Sequence, residues 1–384
     1  MLSKLSQRSV ALMSSERAVH SLPASFTKKN SWNRSVSDAE KLVGYPTSLM
    51  SVRALMDDDF ANIAVHMRKL VGSEHPVFHT VKRLVYQGKN KLQLRGLLML
   101  LLSRAAGHVG GSEEVDAATG VMEKQRKLAE IVEMINTGQA IHQSVVNLPV
   151  NIADEPDEDI RSVLQQLEYG NKISILGGDY LLANASTGLA ALRIPKIVEI
   201  VSVAIAEFTQ SEFLGQQDPQ GRVVPSADQL DVDSWVTRAR LGSGSLLAAG
   251  CQGEMLLAGQ EEQLQRIAKD LGHSLALAIR AHDEKIMFTE EGGNNSGALF
   301  SLATLPVMLH LQSDPQLLAY IQGYSDDLSK MNYRKVYDAV LSGTALSSTS
   351  EIIQKYVDES STLLKKFGSN DATQAIERIT SSIL

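Results

Sequence analysis

A chain of 384 residues, 43% hydrophobic and 21% charged, can bury a large core, and this composition excludes disordered and fibrous classes. A formal charge of −7 with no stripe of Lys and Arg argues against nucleic-acid binding by bulk electrostatics. One cysteine, Cys251, excludes an intrachain disulfide and a cysteine-rich zinc site.

Residues 1–35 stand apart in charge. Lys4, Arg8, Arg17, Lys28, Lys29 and Arg34 face the single acid Glu16, among nine serines. Arg-rich, Ser-rich and nearly acid-free is the composition of a mitochondrial transit peptide, and residues 1–35 are expected to be such a leader or a disordered N-terminus. No continuous apolar run makes a secretory signal here. The longest apolar run of the chain, Leu97–Leu102, is far short of the ~20 residues needed to cross a bilayer.

From about residue 47 to residue 384 apolar residues recur at three and four, and no period-two strand is convincing. The spacing predicts helices over roughly 50–71, 75–87, 92–106, 113–148, 158–169, 171–189, 194–216, 231–250, 252–257, 259–291, 297–311, 314–328, 333–341 and 348–380. The expected class is all-α, with no solenoid repeat.

Several motifs invite chemistry and lose to simpler readings. "RLGSGSLLAAG" from Arg240 lacks the third glycine of a dinucleotide fingerprint, because Leu247 stands there, and no strand precedes it. The acids Asp57–Asp59 and Asp154–Asp159 precede helices, where they cap positive N-terminal ends. His142 has no carboxylate or cysteine after it at ligand spacing, so it reads as a core or pocket histidine. Cys251 lies in an apolar, small-residue helix and reads as packing.

Two stretches carry more. "GNKISILGGDYLLANAS", Gly170–Ser186, resembles the "GNKxAVLAGDFLLxRAS" segment of trans-prenyl diphosphate synthases. "EMINTGQAIHQSVVN", Glu133–Asn147, resembles that family's first aspartate-rich motif, "EMIHTASLLHDDVLD", and keeps Glu133, Met134, Ile135, Thr137, His142 and Val145. The motif's three aspartates fall on Gln143, Ser144 and Asn147. In the family those carboxylates share one helical face and hold the magnesium ions that bridge to an allylic diphosphate, and hard cations demand charged oxygen ligands. Neutral Gln, Ser and Asn cannot supply that charge.

The second motif is similarly reduced. "LGHSLALAIRAHDEKIM", Leu271–Met287, resembles "YGRNLGIAFQLIDDVLD": Asp283 and Glu284 fall on two of its carboxylates, Met287 on the last, and Ile279 and Arg280 replace a Phe-Gln pair. A family lysine falls on Gly242. The basic anchor "GGKRLRPLL" is stretched to "QGKNKLQLRGLL", leaving Lys89, Lys91 and Arg95, and the paired arginine after the first motif becomes a lone Arg161. Lys89, Lys91, Arg95, His142 and Lys172 remain as candidate residual substrate contacts.

The resemblance implies the isoprenoid synthase fold, a single domain of about a dozen helices around a central cavity. Scaffold kept and both motifs degraded is the pattern of the non-catalytic subunits of hetero-oligomeric long-chain synthases that make the ubiquinone side chain. It implies no catalytic residue and no metal in this chain, with Mg2+ held by a catalytic partner subunit in a hetero-oligomer, a heterotetramer by expectation. A mitochondrial matrix location follows from the leader. The alternatives are an active homomeric prenyltransferase with a degenerate metal site, and an isoprenoid-binding or scaffold protein.

Overall fold

The computed structural model describes residues 29–44, 75–77, 94–110, 114–149, 151–289 and 300–384. The first described helix, α1 (Lys29–Val43), buries Trp32, Val36, Ala39 and Val43 on one face. This spacing of three and four is that of an amphipathic helix packed on a core. The expectation that residues 1–35 are leader or disordered chain is therefore corrected at its end. Residues 29–35 belong to the folded domain, which begins before residue 47. Residues 1–28 lie outside the described residues, as do the expected helix 50–71, most of 75–87, and Asp57–Asp59.

α2 (Leu94–Ala106) carries the run Leu97–Leu102, every residue of it buried. α3 (Glu123–His142) and α4 (Glu158–Leu192) follow, then α5 (Pro195–Ser211) and α6 (Val232–Ala239). A π-helical turn, Arg240–Gly244, leads into α7 (Ser245–Leu257), which packs against α2, α3, α5 and α8 (Glu262–Ile286). Ten residues of α7, from Ser245 to Met255, are buried, so it is the axis of the core. α9 (Leu305–Ser313), α10 (Pro315–Gln322), α11 (Tyr333–Ser342), α12 (Ala345–Leu364) and α13 (Asp371–Ser381) complete the chain, and α13 packs on α1 and α2. The described residues contain no named strand, only the isolated bridges Val115–Met122 and Gln217–Val223.

Several expected boundaries move, each for a local reason. Segments 158–169 and 171–189 form one helix. Gly170 does not break it but makes room, since a Cβ there would lie 2.3 Å from the His75 ring. Segment 231–250 is interrupted at 240–244, and α7 continues unbroken through Cys251. Segment 348–380 is two helices separated at Gly368, whose φ of 80° a helix cannot hold. The cap expected of the acids before α4 is present: the Asp157 side chain accepts from the backbone N–H groups of Asp159 and Ile160.

Candidate functional site

α3 stops inside the first motif, just before the three positions where its aspartates would fall, and this overturns the expected helix 113–148. Gln143 is the C-cap; the Ser144 N–H bonds to the Ile141 carbonyl at 3.0 Å and the Val145 N–H to that of His142 at 3.1 Å, tightening the last turn. Beyond it Asn171 of α4 captures the backbone of Val146. Its Oδ1 accepts from Val146 N at 2.8 Å and its Nδ2 donates to Val146 O at 2.8 Å, so the two groups that would continue the helix are satisfied from outside. The His75 Nε2 also bonds to Asn171 Oδ1, at 3.2 Å, which leaves His75 Nδ1 to accept from Val77 N.

Gln143, Ser144 and Asn147 thus lie on a cap and an extended segment, not on one helical face. Each spends its polar group on protein. Gln143 Nε2 donates to Glu212 Oε1 at 2.9 Å, Ser144 Oγ to Ala140 O at 3.1 Å, and Asn147 Nδ2 to Gln220 O at 3.0 Å.

All three line a cavity of about 570 Å³ between the C-terminal ends of α3 and α5 on one side and α6, the π turn and α8 on the other. The second motif meets the same space, but only Glu284 of its three positions lines it. That carboxylate is 4% exposed and saturated: Oε2 accepts from Trp235 Nε1 at 2.9 Å and from Leu305 N at 2.7 Å, and Oε1 pairs with Arg280 Nε. It ties α6, α8 and the start of α9 together. Asp283 is half-buried beside the charge of Arg95, and Met287 packs against the core at the C-cap of α8.

The divalent site that the family's motifs would build does not fit these residues. Magnesium takes charged oxygens in near-octahedral geometry. The first motif offers neutral groups already bonded to protein, and Glu284 has its oxygens filled by three donors. Gly242, at the family lysine position, lines the cavity 3.2 Å from Ser211 Oγ at its nearest ideal Cβ point.

Of the candidate substrate contacts among the described residues, only Arg95 reaches this space. Lys172 is exposed on α4 and does not line the cavity. His142 packs between α3 and α4, its Nε2 at 3.2 Å from both Ile175 O and Asp179 Oδ1. Arg161 donates to Glu155 O at 3.0 Å, away from the cavity. Lys89 and Lys91 lie outside the described residues. Sequence reasoning missed Arg238, which lines the cavity from α6, and nothing in "DVDSWVTRAR" marks it. Arg238 Nη1 contacts the Met308 sulfur at 3.8 Å, and its Nε is buried with no hydrogen-bond partner among the described residues.

Behind the cavity, Glu133 of α3 accepts from Gly96 N at 2.7 Å. Burial raises its carboxyl to about 7 against the opposing pull of Arg95 and the backbone donors. Glu254 on α7 is also pushed well above the usual carboxylate range by burial, and a bond from Ser103 only partly offsets this. Both are core residues that do not line the cavity.

The Polyprenyl synthetase family profile matches residues 152–294, the stretch holding α4 to α8 and the part of this wall from Phe208 to Glu284. All trans-polyprenyl-diphosphate synthase PDSS2 of Homo sapiens is 34% identical over 353 residues, covering 91% of this chain and 86% of that protein. The chain belongs to the polyprenyl synthetase family. Within it, similarity to the mitochondrial hexaprenyl pyrophosphate synthase of Saccharomyces cerevisiae is lower, 24% over 459 residues, covering 93% of this chain and 95% of that one. Among solved structures, heptaprenyl diphosphate synthase from Staphylococcus aureus superposes with a TM-score of 0.59 at 15% identity, over 94% of this chain and 98% of that one. The decaprenyl diphosphate synthase from Rhodobacter capsulatus gives 0.57 at 20% identity, over 88% and 98%. These two share the polyprenyl synthetase fold with the chain. Among its described residues no helix is long and apolar enough to cross a membrane.

Proposed function

We propose that this chain is the non-catalytic structural and regulatory subunit of a hetero-oligomeric trans-polyprenyl diphosphate synthase whose product becomes the ubiquinone side chain. The observation that carries the reading is the state of the first motif. Gln143, Ser144 and Asn147 are neutral, sit off the helix, and each donates to a protein acceptor in or beside the wall. Ionising an allylic diphosphate needs positive charge concentrated on the leaving group, which magnesium supplies when carboxylates hold it. This chain's residues cannot hold it, so the condensation of isopentenyl diphosphate onto the allylic diphosphate takes place in a catalytic sister chain.

The outer face of the scaffold supports a partner. Ile175 and Leu176 of α4 and Val203 of α5 are 47%, 51% and 50% exposed on helices flanking the cavity, and exposed aliphatic groups on adjacent helices suit a subunit interface. The location we propose is mitochondrial, as with the S. cerevisiae hexaprenyl pyrophosphate synthase, with the leader cleaved upstream of Trp32 because that side chain belongs to the core.

The test is co-purification with a candidate catalytic sister bearing both intact motifs, followed by a turnover assay with labelled isopentenyl diphosphate. Turnover is expected only from the mixture. The triple variant Gln143→Asp, Ser144→Asp, Asn147→Asp should remain inactive alone, because Glu284 stays saturated and Met287 supplies no ligand. Turnover by the isolated chain, wild type or triple variant, would establish a homomeric enzyme instead.

A further inference from the structure

The segments that end α3 and α5 meet along one side of the cavity. Gln143 and Asn147 lie on the first, Glu212 and Gln220 on the second, and all four line the space. Two hydrogen bonds close the seam between them: Gln143 Nε2 donates to Glu212 Oε1 at 2.9 Å and Asn147 Nδ2 to Gln220 O at 3.0 Å. Both donors stand where the first motif's aspartates would fall. An ionised carboxylate only accepts, so at 143 it would face the Glu212 carboxylate and at 147 a carbonyl oxygen, and each bond would become a repulsion. The two amides thus draw together walls that carboxylates would push apart.

The second wall can move as a unit. Residues 216–224 form a hairpin in which Val224 N donates to Gln216 O at 2.8 Å, Asp218 N to Arg222 O at 2.9 Å and Gly221 N to Asp218 O at 2.8 Å. The Asp218 carboxylate stiffens the turn by accepting from Gln220 N and Arg222 N. Glycines at positive φ stand at the hairpin's entry and tip, Gly215 at 84° and Gly221 at 77°. One edge is anchored, because Asp218 is buried and also accepts from Leu328 N at 3.2 Å, with Arg222 beside Asp327 at 3.6 Å. The tip is tied to Asn147 through the Gln220 carbonyl, and the Gln220 Oε1 is buried with no hydrogen-bond partner among the described residues. A buried acceptor without a donor costs free energy that exposure to water relieves, so the closed tip carries a cost that its latch must outweigh. The first wall stays in place, since Asn171 holds both backbone groups of Val146.

We propose that the hairpin 216–224 is a gate on the cavity, pivoting on its Asp218 edge and latched shut by the Asn147 amide, with Gln143 bracing its root. Closure is then set by hydrogen bonds within the chain, and opening is a local event that leaves the helical core intact. The replacement of aspartate by asparagine at 147 has a positive role in this arrangement, because it turns an acceptor into the donor that the Gln220 carbonyl requires. The proposal rests on the reading that the first motif holds no metal, since a metal would claim the same side chains; it does not depend on the catalytic sister.

The experiment compares the full chain with Asn147→Ala, which deletes the latch donor, and Asn147→Asp, which reverses it at nearly constant shape. Limited trypsin digestion reads cleavage after Arg222, inside the hairpin, by mass spectrometry. Acrylamide quenching of Trp235 is a second readout, since that ring is buried and lines the cavity, while the other tryptophan, Trp32, lies in α1 and gives a constant background. Cleavage of a locally opened segment tracks its open population. Asn147→Ala should therefore speed cleavage after Arg222 roughly fivefold, the worth of one hydrogen bond, and Asn147→Asp should speed it more, with quenching rising in the same order. The melting temperature should fall by no more than about 2 °C in either variant, because only a local contact is lost. Gln139→Glu, which puts a carboxylate on the cavity wall one turn earlier in α3, should match wild type. Wild-type cleavage and quenching in either Asn147 variant overturns the gate, as does an equal rise in Gln139→Glu. A melting temperature that drops in step with the quenching would show that Asn147 holds the fold rather than a gate, and overturns it too. The assays use neither substrate nor sister chain, so their failure leaves the subunit reading standing. Turnover by the isolated chain would sink that reading through a different measurement.

Discussion

Glu284→Gln separates a structural carboxylate from a metal ligand at the second motif. The wild-type side chain is 4% exposed and accepts from Trp235 Nε1, Leu305 N and Arg280 Nε. In the variant one oxygen can still serve Trp235 and Leu305, but an amide N–H₂ then faces Arg280, donor against donor, and the ion pair is gone. Breaking a buried pair from one side costs about 3–5 kcal/mol. Arg280 keeps 19% side-chain exposure, which places the expected loss at the lower end, about 3 kcal/mol. With an unfolding entropy of about 2.1 cal/mol/K per residue, a chain of this length should melt about 4 °C lower. The assay is thermal unfolding followed by circular dichroism, with and without magnesium. Glu284→Gln combined with Arg280→Met should recover part of the loss, because no unpaired charge is left behind. An unchanged melting temperature would refute the structural assignment. So would a magnesium-dependent stabilisation of the wild type that the variant lacks.

Glu133 tests the pH dependence of the core behind the cavity. Its carboxyl holds a proton to about pH 7 in the folded chain but only to 4.5 when unfolded, so the folded state binds the extra proton between these values. Its contribution to stability is complete below 4.5 and is lost as pH rises through 7, a total of about 3 kcal/mol. Glu133→Gln keeps the bond from Gly96 N and should flatten urea-unfolding stability across that window; profiles parallel to wild type would contradict the assignment. Trp32→Ala, at 2% exposure, should cost about 3–5 kcal/mol in the same assay, whereas an N-terminal truncation through Gly44 with undiminished stability would show that α1 is not part of the domain. Gly272→Ala places a Cβ 2.7 Å from the Ala248 Cα, against backbone that cannot turn away. Forcing α7 and α8 apart should cost about 1–3 kcal/mol, and a melting temperature equal to wild type would show that the contact is looser than described.

The amino-acid sequence alone determined what is written in composition, local chemistry and short-range pattern. Helical periodicity reads directly from side-chain spacing, and the Asp157 cap is a contact across two and three residues. Replacement of the first motif's charges by Gln143, Ser144 and Asn147 needs no coordinates, because a neutral side chain at a ligand position states its chemistry by identity. What the tertiary structure decided depends on partners far away in the chain. α3 ends at His142 because Asn171, 25 positions from Val146, takes that residue's backbone groups. The retained glutamate of the second motif looks available as a ligand until Trp235, 49 positions away, donates to it. Gly170 resembles a helix break until His75, 95 positions upstream, is seen to need the space. Arg95, Arg238 and Arg280 are three unrelated positions until α2, α6 and α8 close on one cavity. Periodicity encodes which face a side chain takes; it carries no record of what will be packed against that face, and for a polar group that neighbour decides between ligand, strut and site.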